Sequence, residues 1–130
     1  MINLKDAHNA LWLKYHKKID IKIVGDEFYS YIELNQIFIP EKTKHKQTEW
    51  SLFAFLHEIG HITTNKVEMR RYEKEYLATQ WALEETKKMD FKVPKWIIDE
   101  YQKYIYEWRE TSIKRGDKNV VSKKQLVLKY

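Results

Sequence analysis

The chain has 130 residues, of which 43% are hydrophobic and 15% aromatic, so one domain with a packed interior is expected rather than disorder. Cysteine is absent, which excludes disulfide scaffolds, thiol nucleophiles and Cys-based zinc ribbons and leaves His and carboxylates as the strong metal ligands. The formal charge of +5 is confined to residues 114–130, where Lys114, Arg115, Lys118, Lys123, Lys124 and Lys129 face only Asp117. That basic tail reads first as a solubilising end. Contact with nucleic acid or an acidic partner is open to it but not favoured.

In chain order, residues 3–17 have helical spacing, with Asn3 as N-cap and Leu4, Ala7, Leu11 and Tyr15 on one side. Met1-Ile2-Asn3-Leu4 lacks the basic-then-apolar profile of a signal peptide, and no stretch has the length of a membrane span. A cytoplasmic location without membrane contact is the expectation. Ile19, Ile21 and Ile23 alternate with Asp20 and Lys22, which marks a half-buried strand. Gly25-Asp26 is a turn, Phe28 to Ile32 a second strand, and Asn35-Gln36 a turn before Ile37-Phe38-Ile39, closed by Pro40. Three short strands with tight turns predict an antiparallel meander.

Thr48 is an N-cap for a helix over about Glu49 to Thr63, with Trp50, Phe53, Leu56, Ile59 and Gly60 on its packed side. Gly60 inside this helix suggests close approach of another backbone, either the sheet or the next helix. A second long helix is expected from Val67 to Met89, with the small Ala78 and Ala82 four apart. Pro94 begins a third, carrying Ile97, Ile98, Tyr101, Ile105 and Trp108, to about Lys114, with Gly116 as a stop. The fold class is therefore α+β: an N-terminal helix, a three-stranded antiparallel sheet on a central helix, and two further helices over residues 1–113. Residues 114–130 form a tail or an extended strap on the same domain, with Val120–Val121 and Leu126–Leu128 as a last strand or strap.

The central helix carries His57-Glu58-Ile59-Gly60-His61. Residues four apart share a helix face, so His57 and His61 can present two imidazoles to one cation, and Glu58 can reach a water as general base. This His-Glu-x-x-His arrangement is the zincin pattern. Catalytic zinc takes a third protein ligand. Thr64 and Val67 exclude the metzincin pattern, so a glutamate of the following helix is the route, as in gluzincins. Glu75 lies on a face with Ala78, Thr79 and Ala82, while Glu73 points away from it. Glu75 is the choice and Glu73 the alternative.

Phe53-Ala54-Phe55-Leu56-His57-Glu58-Ile59-Gly60-His61 and Glu75-Tyr76-Leu77-Ala78-Thr79-Gln80-Trp81-Ala82 together resemble the ImmA/IrrE family of metallopeptidases. The resemblance covers about residues 37–89. It implies a small zincin-like domain, with His57, His61 and Glu75 as zinc ligands. Thr79 stands where the family has Asn or Asp, a residue that would steady a ligand histidine. The likeness also implies a protein substrate met in trans, such as a DNA-binding repressor of a phage or mobile element.

The expected function is zinc-dependent endopeptidase, with Glu58 as general base and Ile37, Phe38 and Ile39 pairing with an extended substrate. Tyr72, Tyr76, His45 or a tail residue is expected to supply an oxyanion donor. The competing reading is a non-catalytic binding module with a structural or vestigial metal, acting through its basic tail.

Overall fold

The computed structural model describes residues 3–65 and 68–130. The order of elements is α1 (Leu4–Tyr15), β1 (Asp20–Ile23), β2 (Tyr29–Tyr31), β3 (Gln36–Ile39), α2 (Glu49–Thr64), α3 (Arg71–Lys88) and α4 (Lys95–Lys114). Single 3-10 turns lie at Glu41–Lys44 and Lys123–Leu126. The α+β class holds. The expected start of the second long helix at Val67 lies outside the described residues, and residues 68–70 are not helical, so α3 begins at Arg71. Among the described residues no helix is long and apolar enough to cross a membrane.

The ends of α1 and α2 follow from their capping chemistry. The Asn3 side chain accepts from the Asp6 amide at 3.2 Å. Thr48 and Ser51 form a reciprocal box, with the Ser51 amide donating to Thr48 Oγ1 at 3.0 Å and the Thr48 amide to Ser51 Oγ at 2.8 Å. His8 fastens α1 to this cap. Its Nδ1 donates to the Leu4 carbonyl at 2.8 Å, and its Nε2 accepts from Ser51 Oγ at 3.0 Å. Burial pushes the His8 pKa down, against the two hydrogen bonds, which suits this neutral role.

The sheet departs from the expected meander. Its order is β1-β3-β2, with β1 parallel and β2 antiparallel to β3. The hairpin at Asn35 (φ 50°) forms as predicted. The Gly25 turn instead carries the chain across to the opposite edge. The Val24 amide donates to Ile39 and the Glu41 amide to Gly25, which extends the β1–β3 ladder past its strands. Ile37 and Ile39 are buried, whereas β1 and β2 are only half-covered. The most apolar strand takes the centre and leaves the polar ones as edges.

Helix α2 is not a one-sided surface helix. Every residue from Ser51 to His61 is buried, with α3 packed along it and the sheet and α1 against its other sides. Trp50, expected on the packed side, is 37% exposed. Gly60 meets α3, not the sheet: a Cβ built there would lie 2.6 Å from the Ala78 carbonyl oxygen. The small residues at Gly60 and Ala78 thus set how closely the two helices approach.

The tail is a strap, not a strand. Leu126 and Leu128 are buried in the common core. Gln102 Nε2 donates to the Leu126 carbonyl, and the Leu128 amide donates back to Gln102 Oε1, both at 2.8 Å. Gln80 makes the same two-way clamp on Lys129. Asp117 pairs with Arg70 at the base of α3. Residues 114–130 therefore pack with the rest as one unit, their lysines left outward.

Gly60→Ala should destabilise the protein. The clash is with backbone that no rotamer change relieves, so the overpacking loss of about 1–3 kcal/mol outweighs the propensity gain of about 1 kcal/mol. Chemical unfolding measures it; a variant as stable as the parent would show that the helices are free to separate.

Candidate metal centre

Two adjacent helices supply the site. His57 and His61 lie one turn apart on α2, and their rings meet edge to face with centroids 4.5 Å apart. Glu75 lies on α3, one turn before Ala78, so the close contact at Gly60 brings its carboxylate under the two imidazoles. Glu75 Oε2 is 3.1 Å from His57 Nε2 and 2.9 Å from His61 Nε2. Ligand atoms of the three residues lie within 4.8 Å of one another, and all three residues are buried.

At these distances the groups nonetheless lack hydrogen-bond geometry. His57 Nε2, Glu75 Oε2 and Glu58 Oε2 are buried without a hydrogen-bond partner among the described residues. Orphaned polar atoms of this kind are costly, and three in one place ask for a ligand. Lone pairs aimed at a common point produce short separations without donor-to-acceptor alignment. Two imidazoles and one carboxylate are a donor set for a borderline divalent cation. The residues present fit a metal ion. This group could hold one.

The electrostatics agree. Burial alone would lower the His57 pKa, but the contacts and charges of Glu58 and Glu75 outweigh it and hold it at about 9. Burial would raise the Glu75 pKa, and the two histidines more than reverse that, placing it well below the usual carboxylate range.

The site opens on a cleft of about 520 Å³. Edge strand β2 contributes Tyr29 and Ser30, α2 contributes Trp50, α3 contributes Arg71 and Lys74, and α4 contributes Tyr101 and Tyr104. The Tyr101 ring stands 4.7 Å from that of His57 and packs edge-on against Phe53. Burial, then the charges of Glu58 and Glu75, drive the Tyr101 pKa far up, so the phenol stays protonated.

Of the residues expected here, His57, Glu58, His61 and Glu75 come together. Glu73 does not: it faces Arg70 on the outer side of α3. Thr79 makes no hydrogen bond to a histidine among the described residues. Its hydroxyl donates to the Glu75 carbonyl at 2.7 Å, one turn back on its own helix. Ile37, Phe38 and Ile39 cannot pair with a substrate, because β3 is bonded on both sides, by β1 and β2. Tyr72 is fully buried, its hydroxyl accepting from the Val121 amide at 3.2 Å. Tyr76 packs on the core and His45 ends the 3-10 turn after β3; neither lines the cleft.

The residues missed are Trp50, Arg71, Lys74, Tyr101 and Tyr104. Arg71 carried a signal, since it stands four residues before Glu75 on one helix. Tyr101 had none of its own: it belongs to the apolar stripe of α4, and only the packing shows that the stripe overlies His57.

No known protein family, characterised protein or solved structure matches this chain.

A ligand imidazole must be neutral, so metal binding has to remove the His57 proton. Affinity should rise with pH by about tenfold per unit up to about pH 9, with roughly one proton released per metal at pH 7. Calorimetry in buffers of different ionisation enthalpy measures this. Affinity unchanged between pH 6.5 and 8.5 would contradict it.

Proposed function

We propose that this protein is a zinc-dependent endopeptidase of a protein substrate. The observation that carries the reading is the convergence of His57, His61 and Glu75 beside a buried Glu58, all opening on one cleft. Zinc held there would supply Lewis acidity to polarise a carbonyl and bring the pKa of a water towards about 7.

The chain's own groups would do the rest. Glu58 Oε2 has no partner among the described residues, so it is free to accept the proton of the attacking water and return it to the leaving amine. The protonated Tyr101 phenol is a candidate donor to the developing oxyanion, replacing Tyr72, Tyr76 and His45 in that role. The free edge of β2, which borders the cleft, is the strand open to an extended peptide. Trp50, Tyr101 and Tyr104 supply apolar walls for its side chains.

Membership of the ImmA/IrrE metallopeptidases, a repressor substrate from a phage or mobile element, and a cytoplasmic location belong to the same proposal. They rest on the two motifs and on the absence, among the described residues, of a helix able to cross a membrane. The rival reading, a binding module acting through the tail, loses part of its motive because the strap is clamped to α3 and α4 by Gln80 and Gln102.

Glu58→Gln should retain zinc and lose hydrolysis by about 10²- to 10⁴-fold, the usual worth of a general base. Cleavage of a peptide library read by mass spectrometry measures it. Undiminished cleavage by the variant would remove Glu58 from the mechanism.

A further inference from the structure

The two oxygens of the Glu75 carboxylate have different surroundings. Oε2 faces both histidine Nε2 atoms, at 3.1 and 2.9 Å. Oε1 accepts a hydrogen bond from Arg71 Nε at 3.1 Å, from one helical turn earlier. The arginine is itself placed from the other side, its guanidinium carbon 4.8 Å from the centroid of the Trp108 ring on α4. Its neighbour Arg70 is engaged elsewhere, with Asp117 of the strap and with Glu73. The adjacent arginines therefore have separate tasks. Arg70 ties the strap to α3, and Arg71 reaches the buried carboxylate.

We propose that Arg71, braced on Trp108, is a positioning residue that occupies Glu75 Oε1 so that the glutamate offers a bound metal one oxygen rather than two. The inference rests on His57, His61 and Glu75 holding a divalent metal. A carboxylate can ligate through one oxygen or both. If both were taken, the coordination sphere would fill, and the position a hydrolytic site keeps open would narrow. A directional N–H to Oε1 competes with the metal for that oxygen and fixes the plane of the carboxylate. The guanidinium also offsets the charge of a buried acid before metal arrives. Partners of this kind around a metal ligand change metal affinity by about 10- to 100-fold when removed.

The test compares wild type, Arg71→Ala, Arg71→Lys and Trp108→Leu, each loaded with Co²⁺ for visible absorption and with Zn²⁺ for affinity by chelator competition. Arg71 has a half-exposed side chain, so its replacement should leave the fold intact, which circular dichroism verifies. Wild type should show the intense visible bands of four-coordinate Co²⁺. In Arg71→Ala the bands should weaken severalfold, as a freed Oε1 joins the coordination sphere, and zinc affinity should change by about tenfold or more. Arg71→Lys, which keeps the charge, should recover part of both, and Trp108→Leu should fall between wild type and Arg71→Ala. A wild-type spectrum and affinity in folded Arg71→Ala would overturn the role of Arg71 while leaving the metal site standing. No stoichiometric binding of either metal by wild type would overturn the site and this inference together.

Discussion

The approach of α2 and α3 at Gly60 is the constraint from which the site follows. With only a hydrogen where a side chain would be, the Ala78 carbonyl can settle against the histidine helix. One turn back from Ala78, the Glu75 carboxylate then reaches the Nε2 atoms of His57 and His61. Any larger residue at 60 would move α3 outward and withdraw the third donor. The geometry of three side chains is thus set by the absence of a fourth.

The same packing makes the site expensive for the free protein. Glu75 is only 2% exposed, and its Oε2 has no hydrogen bond among the described residues. Glu58 and Glu75 push the His57 pKa up against burial, and Arg71 is set against the outer oxygen. A cluster selected for stability alone would more cheaply have been apolar, because buried ionic groups seldom exceed well-packed hydrophobic ones in net worth. Around it, the strap closes the α3–α4 side through Gln80 and Gln102, and β2 leaves one edge of the sheet beside the cleft.

Much of this was legible in the residues, because the decisive signals are local. His57 and His61 share a face through helical spacing, Thr48 caps α2, and Gly60 announced a backbone contact. Glu75 was legible because Ala78 and Ala82 mark the face of α3 that approaches α2. The sheet was not. Turn chemistry at Gly25-Asp26 indicates that the chain reverses, but not which strand it then joins, and Ile37 and Ile39 took the centre because burial favours the most apolar strand there. Tyr101 was read as part of a core stripe, which it is. Its contact with His57 joins it to a residue 44 positions earlier in the chain. Non-local pairings of this sort leave no mark in spacing.

The account stands on two imidazoles and one carboxylate acting as a single chelate. Metal content of purified wild type, His57→Ala, Glu75→Ala and Glu73→Ala tests this most directly. One equivalent of zinc in wild type and Glu73→Ala, with little in His57→Ala and Glu75→Ala, is the predicted result. Full zinc in Glu75→Ala, or loss in Glu73→Ala instead, would contradict it.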